Sequence, residues 1–232
     1  MTILSPYAAS VVILLTLGTA ALVFYVRIVL PRQVIERFQN SMAGLGTAVE
    51  LRFPSHHGLT VRVVRLSAAL GEAVGLSPRQ LRDLETAAQL RDIGLCAVPY
   101  RLLNANAPSE WTEADHATYW RHPEVSAAML EMIPSLCHVA GIVRAHHAPF
   151  EGAESGLSTR GEEIPIEARI LCIITEYVWL ERSMGHLLAV DKLRELSGTR
   201  FDPRLVQDFI EVLTSPHGVE PVSSAVTVAQ PR

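Results

Sequence analysis

The segment YAASVVILLTLGTAALVFYV, Tyr7 to Val26, carries no charged residue, and IVL extends the apolar run beyond Arg27. About 20 apolar residues in a helix span the hydrocarbon core of a bilayer. A helix is the form such a run must take there, because it satisfies its own backbone donors and acceptors. A signal peptide needs a basic lead and a shorter apolar core, and MTILSP supplies no side-chain cation. Residues 1–30 are therefore expected to form one transmembrane helix rather than a buried core helix. Arg27, Arg32 and Arg37 follow the run, and no Lys or Arg precedes it. The positive-inside rule then predicts a single-pass protein of the cytoplasmic membrane whose C-terminal part faces the cytoplasm.

Beyond Pro31, where a break is expected, the pattern is helical almost throughout. SPRQLRDLETAAQLRDIG offers Ser77 as N-cap, Pro78 at the first helical position and Gln80 to complete a capping box. Its apolar stripe is Leu81, Leu84, Ala88 and Leu90, and Gly94 is expected to close it. TEADHATYWRHPEV opens at Thr112 and breaks at Pro123, where VSAAMLEMI begins. IPIEARILCIITEYVWLERS is a long apolar helix with Pro165 near its start, and FDPRLVQDFIEVL starts at an Asp202 N-cap. No alternating pattern of useful length suggests a strand. The expectation is an all-α bundle over residues 31–214, with its first helix from about 38, and a disordered Pro-, Ser- and Val-rich tail over 215–232. The 232 residues suffice for one sizeable core plus an accessory segment. A formal charge of −4 argues against duplex nucleic acid as a partner. Cys96, Cys137 and Cys172 sit among apolar residues, an odd count that reads as buried thiols in a reducing compartment.

Polar residues at helix ends, next to the core, are the candidates for chemistry. Asp92 ends the helix that starts at Ser77, and His122 sits at the Pro123 break. His146 and His147 close the helix that opens near Cys137, in VRAHHAPFEG. Neighbouring helical residues point about 100° apart, so a His-His pair needs a helix end to converge. Three imidazoles and one carboxylate on helix ends of one bundle form a candidate N/O metal site. No linear spacing rule ties the four together.

From about Phe38 to Leu213 these blocks resemble, in order, the HD-GYP domain. This is the helical branch of the HD phosphohydrolases that degrades cyclic di-GMP. AVELRFPSHHGLTVRV is similar to its first segment, with Glu50, Arg52, Pro54, Gly58, Arg62 and Val63 in register. AAQLRDIGLCAVPYRLLN follows as the family's HDIGK-IPxxIL block. HHAPFEGAESGLSTRGEEIPIEARIL has the length of its HHExxDGxGYPxGLxGxxIPxxARIL, and GTRFDPRLVQDF is similar to its closing block. The resemblance implies an HD-superfamily bundle behind one transmembrane helix. It also implies that His146 and His147 match the paired metal-binding histidines, His122 the histidine before proline, and Asp92 the metal-bridging aspartate.

The departures bear on activity. Arg91 stands at the HD histidine, Leu95 at the lysine, Thr175 at the late metal-binding aspartate and Ala148 at the glutamate after the paired histidines. GYP itself reads Glu154, Ser155, Gly156. Glu176 neighbours Thr175 but lies about 100° round the helix, so it is a poor substitute. Two-metal hydrolysis needs both ions to clamp the phosphate, and an arginine can neither deprotonate nor ligate. The expected cofactor is one divalent transition metal (Fe, Mn or Zn) or none. Arg91 and Arg169 are expected to meet a ligand, and Asp92 or Glu50 to pair with Arg91. The expected partners are the membrane, a cyclic dinucleotide or a protein, and a second copy of the chain in a homodimer. One reading is an impaired signalling module that binds a ligand or partner. The alternatives are a metal-dependent phosphohydrolase with a mononuclear or rebuilt site and a structural domain whose polar cluster is a relic.

Overall fold

The computed structural model describes residues 6–52, 58–104, 108–152 and 159–215. Pro54, the triplet Glu154–Gly156 and the tail from 216 lie outside the described residues. Contacts divide the chain into two units, residues 1–42 and 43–232.

The chain opens with α1 (Pro6–Phe24), which runs into a single π-helical turn, Tyr25–Val29, and then into α2 (Leu30–Glu50), whose residues from 43 on belong to the second unit. The expected break at Pro31 does not occur. A helical proline lacks the N–H that would bond four residues back and crowds the carbonyl there. The π turn accommodates this by widening the register, so that the Leu30 N–H bonds the Tyr25 carbonyl. The apolar stretch within Tyr7–Glu50 has a mean hydropathy of 2.3, and none of that window is buried. This is one helix long and apolar enough to cross a membrane.

Among its described residues the named elements of the second unit are all helices, with one isolated bridge between Ser197 and Phe201. The unit comprises α3 (Leu59–Ala73), α4 (Pro78–Leu90), a 3-10 turn (Ile93–Ala97), α5 (Tyr100–Asn104), α6 (Glu113–Trp120) and α7 (His122–Glu131). The chain continues through α8 (Cys137–Arg144), α9 (Ile166–Met184), α10 (His186–Glu195) and α11 (Pro203–Thr214). Local chemistry sets several boundaries. Ser77 and Gln80 form the expected capping box of α4, and Asp202 accepts the Arg204 N–H at 3.0 Å to cap α11. Thr112 and Asp115 do the same for α6, where Arg101 also binds the Asp115 carboxylate at 2.7 Å.

The core is organised round α9. Ala168, Ile170, Leu171, Cys172, Ile173, Ile174, Tyr177 and Val178 are all buried, too many for one face, so α9 is enclosed on most sides. It packs against α3, α4, α8, α10 and α11. A polar clip ties α3 to α9: Arg62 donates Nε and Nη2 to the Glu181 carboxylate at 2.7 and 2.6 Å. Such bidentate pairs fix geometry as well as charge. Two cysteines depart from expectation. Cys172 is buried, but Cys96 and Cys137 are exposed, because the 3-10 turn and the first residue of α8 put them on the solvent side of apolar neighbours.

Candidate metal centre

The turn after α4 carries the first candidate residues. Arg91 keeps helical dihedrals, and Asp92 leaves them at φ −103° and ψ 8°. Gly94 does not act as a left-handed cap; it is the point where this turn meets α7. A Cβ there would lie 2.3 Å from the His122 carbonyl oxygen and 2.7 Å from the Ser126 nitrogen. The Ser126 hydroxyl laces the two segments together, donating to the Arg91 carbonyl and accepting from the Gly94 N–H, both at 2.8 Å. Asp92 is thereby held beside the start of α7.

His122 is the first residue of α7, because the helix break falls at Arg121 and Pro123 occupies the first turn of the new helix. His146 and His147 lie in the turn after α8. The His122 Nδ1 is 2.8 Å from the Tyr119 carbonyl, and the His146 Nδ1 is 2.6 Å from the Val143 carbonyl. A carbonyl only accepts, so each Nδ1 carries the proton and each Nε2 presents a lone pair. Both Nε2 atoms are buried with no hydrogen-bond partner. They lie 3.5 Å (His122) and 3.8 Å (His146) from the Asp92 Oδ1. The His147 ring is 4.1 Å from that of His146 and 5.2 Å from that of His122. The structure thus groups the three histidines, with the Asp92 carboxylate beside His122 and His146.

Electrostatics keep the imidazoles neutral. Burial lowers the His122 pKa, against the pull of Asp92. Burial and then the neighbouring His122 take His146 down to about 3. Desolvation holds His147 well below its ordinary value, with His146, His122, Arg200 and Arg91 adding to the effect. A neutral imidazole is the ligating form. One ligand atom from each histidine fits within a 4.8 Å span. Two nitrogens on opposite sides of one ion are about 4 Å apart, so a small ring adjustment closes the set. The residues present fit one metal ion, which would supply Lewis acidity and a bound water when held.

A buried cation stands beside them. Arg91 is buried, with Nη2 2.9 Å from the Asp92 Oδ2 and Nη1 donating to the Ala88 carbonyl at 2.6 Å. Its carboxylate partner is therefore Asp92 and not Glu50, which instead accepts the Thr60 and Gly58 N–H groups at the start of α3. Thr175 is buried with no hydrogen-bond partner for its hydroxyl. Glu176 is engaged by Arg200 at 3.0 Å. Leu95 sits in an apolar cluster with Val98 and Leu102. Arg169 does not meet the cluster: it pairs with Asp202 and donates to the Ile164 carbonyl at 3.0 Å, joining α9 to the cap of α11. Sequence reasoning passed over Tyr119, Trp120, Ser126 and Arg200. Tyr119 and Trp120 lie three and two residues before His122, a proximity that could have flagged them. Ser126 and Arg200 carry no local signal.

The family model described as HD domain matches residues 45–205. The chain belongs to the HD domain family. This HD domain is 28% identical over 182 residues to the cyclic di-GMP phosphodiesterase response regulator RpfG of Xanthomonas campestris, covering 75% of the chain and 48% of that protein. It is 26% identical to the 3'3'-cGAMP-specific phosphodiesterase 2 of Vibrio cholerae, covering 76% and 35%. The chain thus spans half or less of the length of these relatives. Among solved structures, a cyclic GMP-AMP specific phosphodiesterase of V. cholerae superposes with a TM-score of 0.60 at 19% identity, over 77% of this chain and 49% of that one. The HD domain of the Listeria monocytogenes phosphodiesterase PgpH, in complex with cyclic-di-AMP, superposes at 0.53 and 16% identity, over 77% and 99%. These superpositions support the helical HD fold.

Proposed function

We propose that the chain is a membrane-anchored HD-GYP-type module that binds a cyclic dinucleotide and is impaired as a phosphodiesterase, with the HD domain on the cytoplasmic side. The relatives named for cyclic di-GMP and cGAMP supply the ligand class, and the arginines after the apolar helix supply the orientation. The observation that carries the impairment is the buried Arg91 guanidinium on Asp92 at 2.9 Å. It is a fixed cation on the carboxylate that would otherwise bridge two metals. At 4 Å and an effective dielectric of 20, it opposes a second ion by about 4 kcal/mol per unit of charge. Arg91 holds the carboxylate in place, yet it brings no activated water.

The test compares the full chain in detergent with the double variant Arg91→His, Thr175→Asp, by metal content and by turnover of cyclic di-GMP. Wild type should hold at most one metal per chain with negligible turnover, and the double variant about two. Two tightly bound metals with turnover in wild type would overturn the reading. A mononuclear phosphohydrolase is the second reading, favoured by the neutral histidines with unpartnered Nε2 atoms. Wild type with one metal and clear turnover would select it.

A further inference from the structure

Trp120 ends α6, and it is 49% exposed although three rings flank it. The ring of Tyr119 is 5.3 Å away, that of His147 5.2 Å and that of His122 6.4 Å. The contacts with Tyr119 and His147 are close to perpendicular, at 82° and 88°. Behind them Trp111 packs on Tyr119 at 5.1 Å. The backbone is fixed as well, since the Thr112–Asp115 box pins one end of α6 and α7 begins two residues after Trp120. A single exposed apolar side chain is ordinary on a protein surface. This one is held by other rings at the rim of the histidine cluster, where the Arg91 Nε and the Nε2 atoms of His122 and His146 are buried without hydrogen-bond partners.

Resting on the ligand class proposed above, we propose that Trp120 is the base-stacking wall of this site. A nucleobase of the cyclic dinucleotide lies on the exposed indole surface, at the rim of the histidine cluster. Stacking suits this place because every base has a π face, and a preset indole loses little freedom on binding.

The test is titration calorimetry on the full chain in detergent, with cyclic di-GMP, cyclic di-AMP and 3'3'-cGAMP as probes. Trp120→Leu keeps apolar bulk against Tyr119 and His147 but has no π face. Trp120→Phe keeps the face. The leucine variant should bind about 5- to 150-fold more weakly, the range that loss of one stacked base gives. The phenylalanine variant should recover affinity to within a few-fold of wild type, with both melting near the wild-type temperature. Equal affinity in wild type and Trp120→Leu overturns the stacking role and leaves the ligand class standing. Equal loss in the leucine and phenylalanine variants also overturns it, because the effect would then be one of shape. Binding of none of the three probes by wild type removes the ligand class and the stacking role together.

Discussion

Gly94→Ala should be among the costliest single-methyl changes in this protein. The new Cβ would sit 2.3 Å from the His122 carbonyl oxygen, 2.7 Å from the Ser126 nitrogen and 2.7 Å from its hydroxyl. Two of these atoms belong to the backbone of α7 and cannot swing aside. Overpacking of this kind costs about 1–3 kcal/mol. Pushing the turn away also strains the two Ser126 hydrogen bonds, each worth about 1 kcal/mol. The sum, about 3–5 kcal/mol, is a large share of the 5–15 kcal/mol that typically separates folded from unfolded chains. At about 2–4 °C per kcal/mol for a domain of this size, melting should fall by roughly 6–20 °C. Gly141→Ala is the internal control. It lies within α8 with nothing within 4 Å of its would-be Cβ, so it should raise stability by about 0.5–1 kcal/mol through helix propensity. Thermal unfolding of the full chain in detergent, followed by circular dichroism, gives both numbers. A Gly94→Ala protein melting within 2 °C of wild type would refute the close approach of the turn to α7.

Two further outcomes follow from the burial pattern. Lowered pKa values at His122, His146 and His147 mean that the unfolded chain binds more protons below its ordinary value near 6.5. Metal-free stability should therefore be flat above that pH. As pH falls from 6.5 toward 5, it should drop by about 1 kcal/mol per pH unit for each of His146 and His147, with His122 acting in the same direction; urea midpoints that do not move over this window would contradict neutral burial. Cys96 and Cys137 are exposed, while burial pushes the Cys172 thiol up to about 12. A maleimide should thus label two thiols in the native protein and the third only in urea, as mass spectrometry would count.

What the sequence disclosed was mostly local. Ser77, Thr112 and Asp202 announce helix starts because a cap is a contract between residues two or three apart. The apolar run from Tyr7 is legible because length and composition alone set the cost of leaving it in water. Pro31 misled because the local rule for proline ignores a π turn that ends two residues upstream. Cys96 and Cys137 misled because apolar neighbours in sequence are not neighbours in space. The grouping of Asp92 with His122, His146 and His147 could not be derived from spacing, and its order came only from resemblance to a family. The choice of Asp92 over Glu50 by Arg91 depends on the loop before α3 claiming Glu50 for its own N–H groups. Gly94 looked like a terminator, and its function is visible only once α7 lies against it.

The hydrogen bonds that orient His122 and His146 end on main-chain carbonyls three residues back in each case. Every amino acid supplies the same carbonyl, so no side-chain replacement at Tyr119 or Val143 deletes the acceptor. The posture of these two imidazoles is thereby insulated from mutation, while the residues round them are free to drift. Such a pocket can change the charge of its surroundings and still keep its imidazoles aimed.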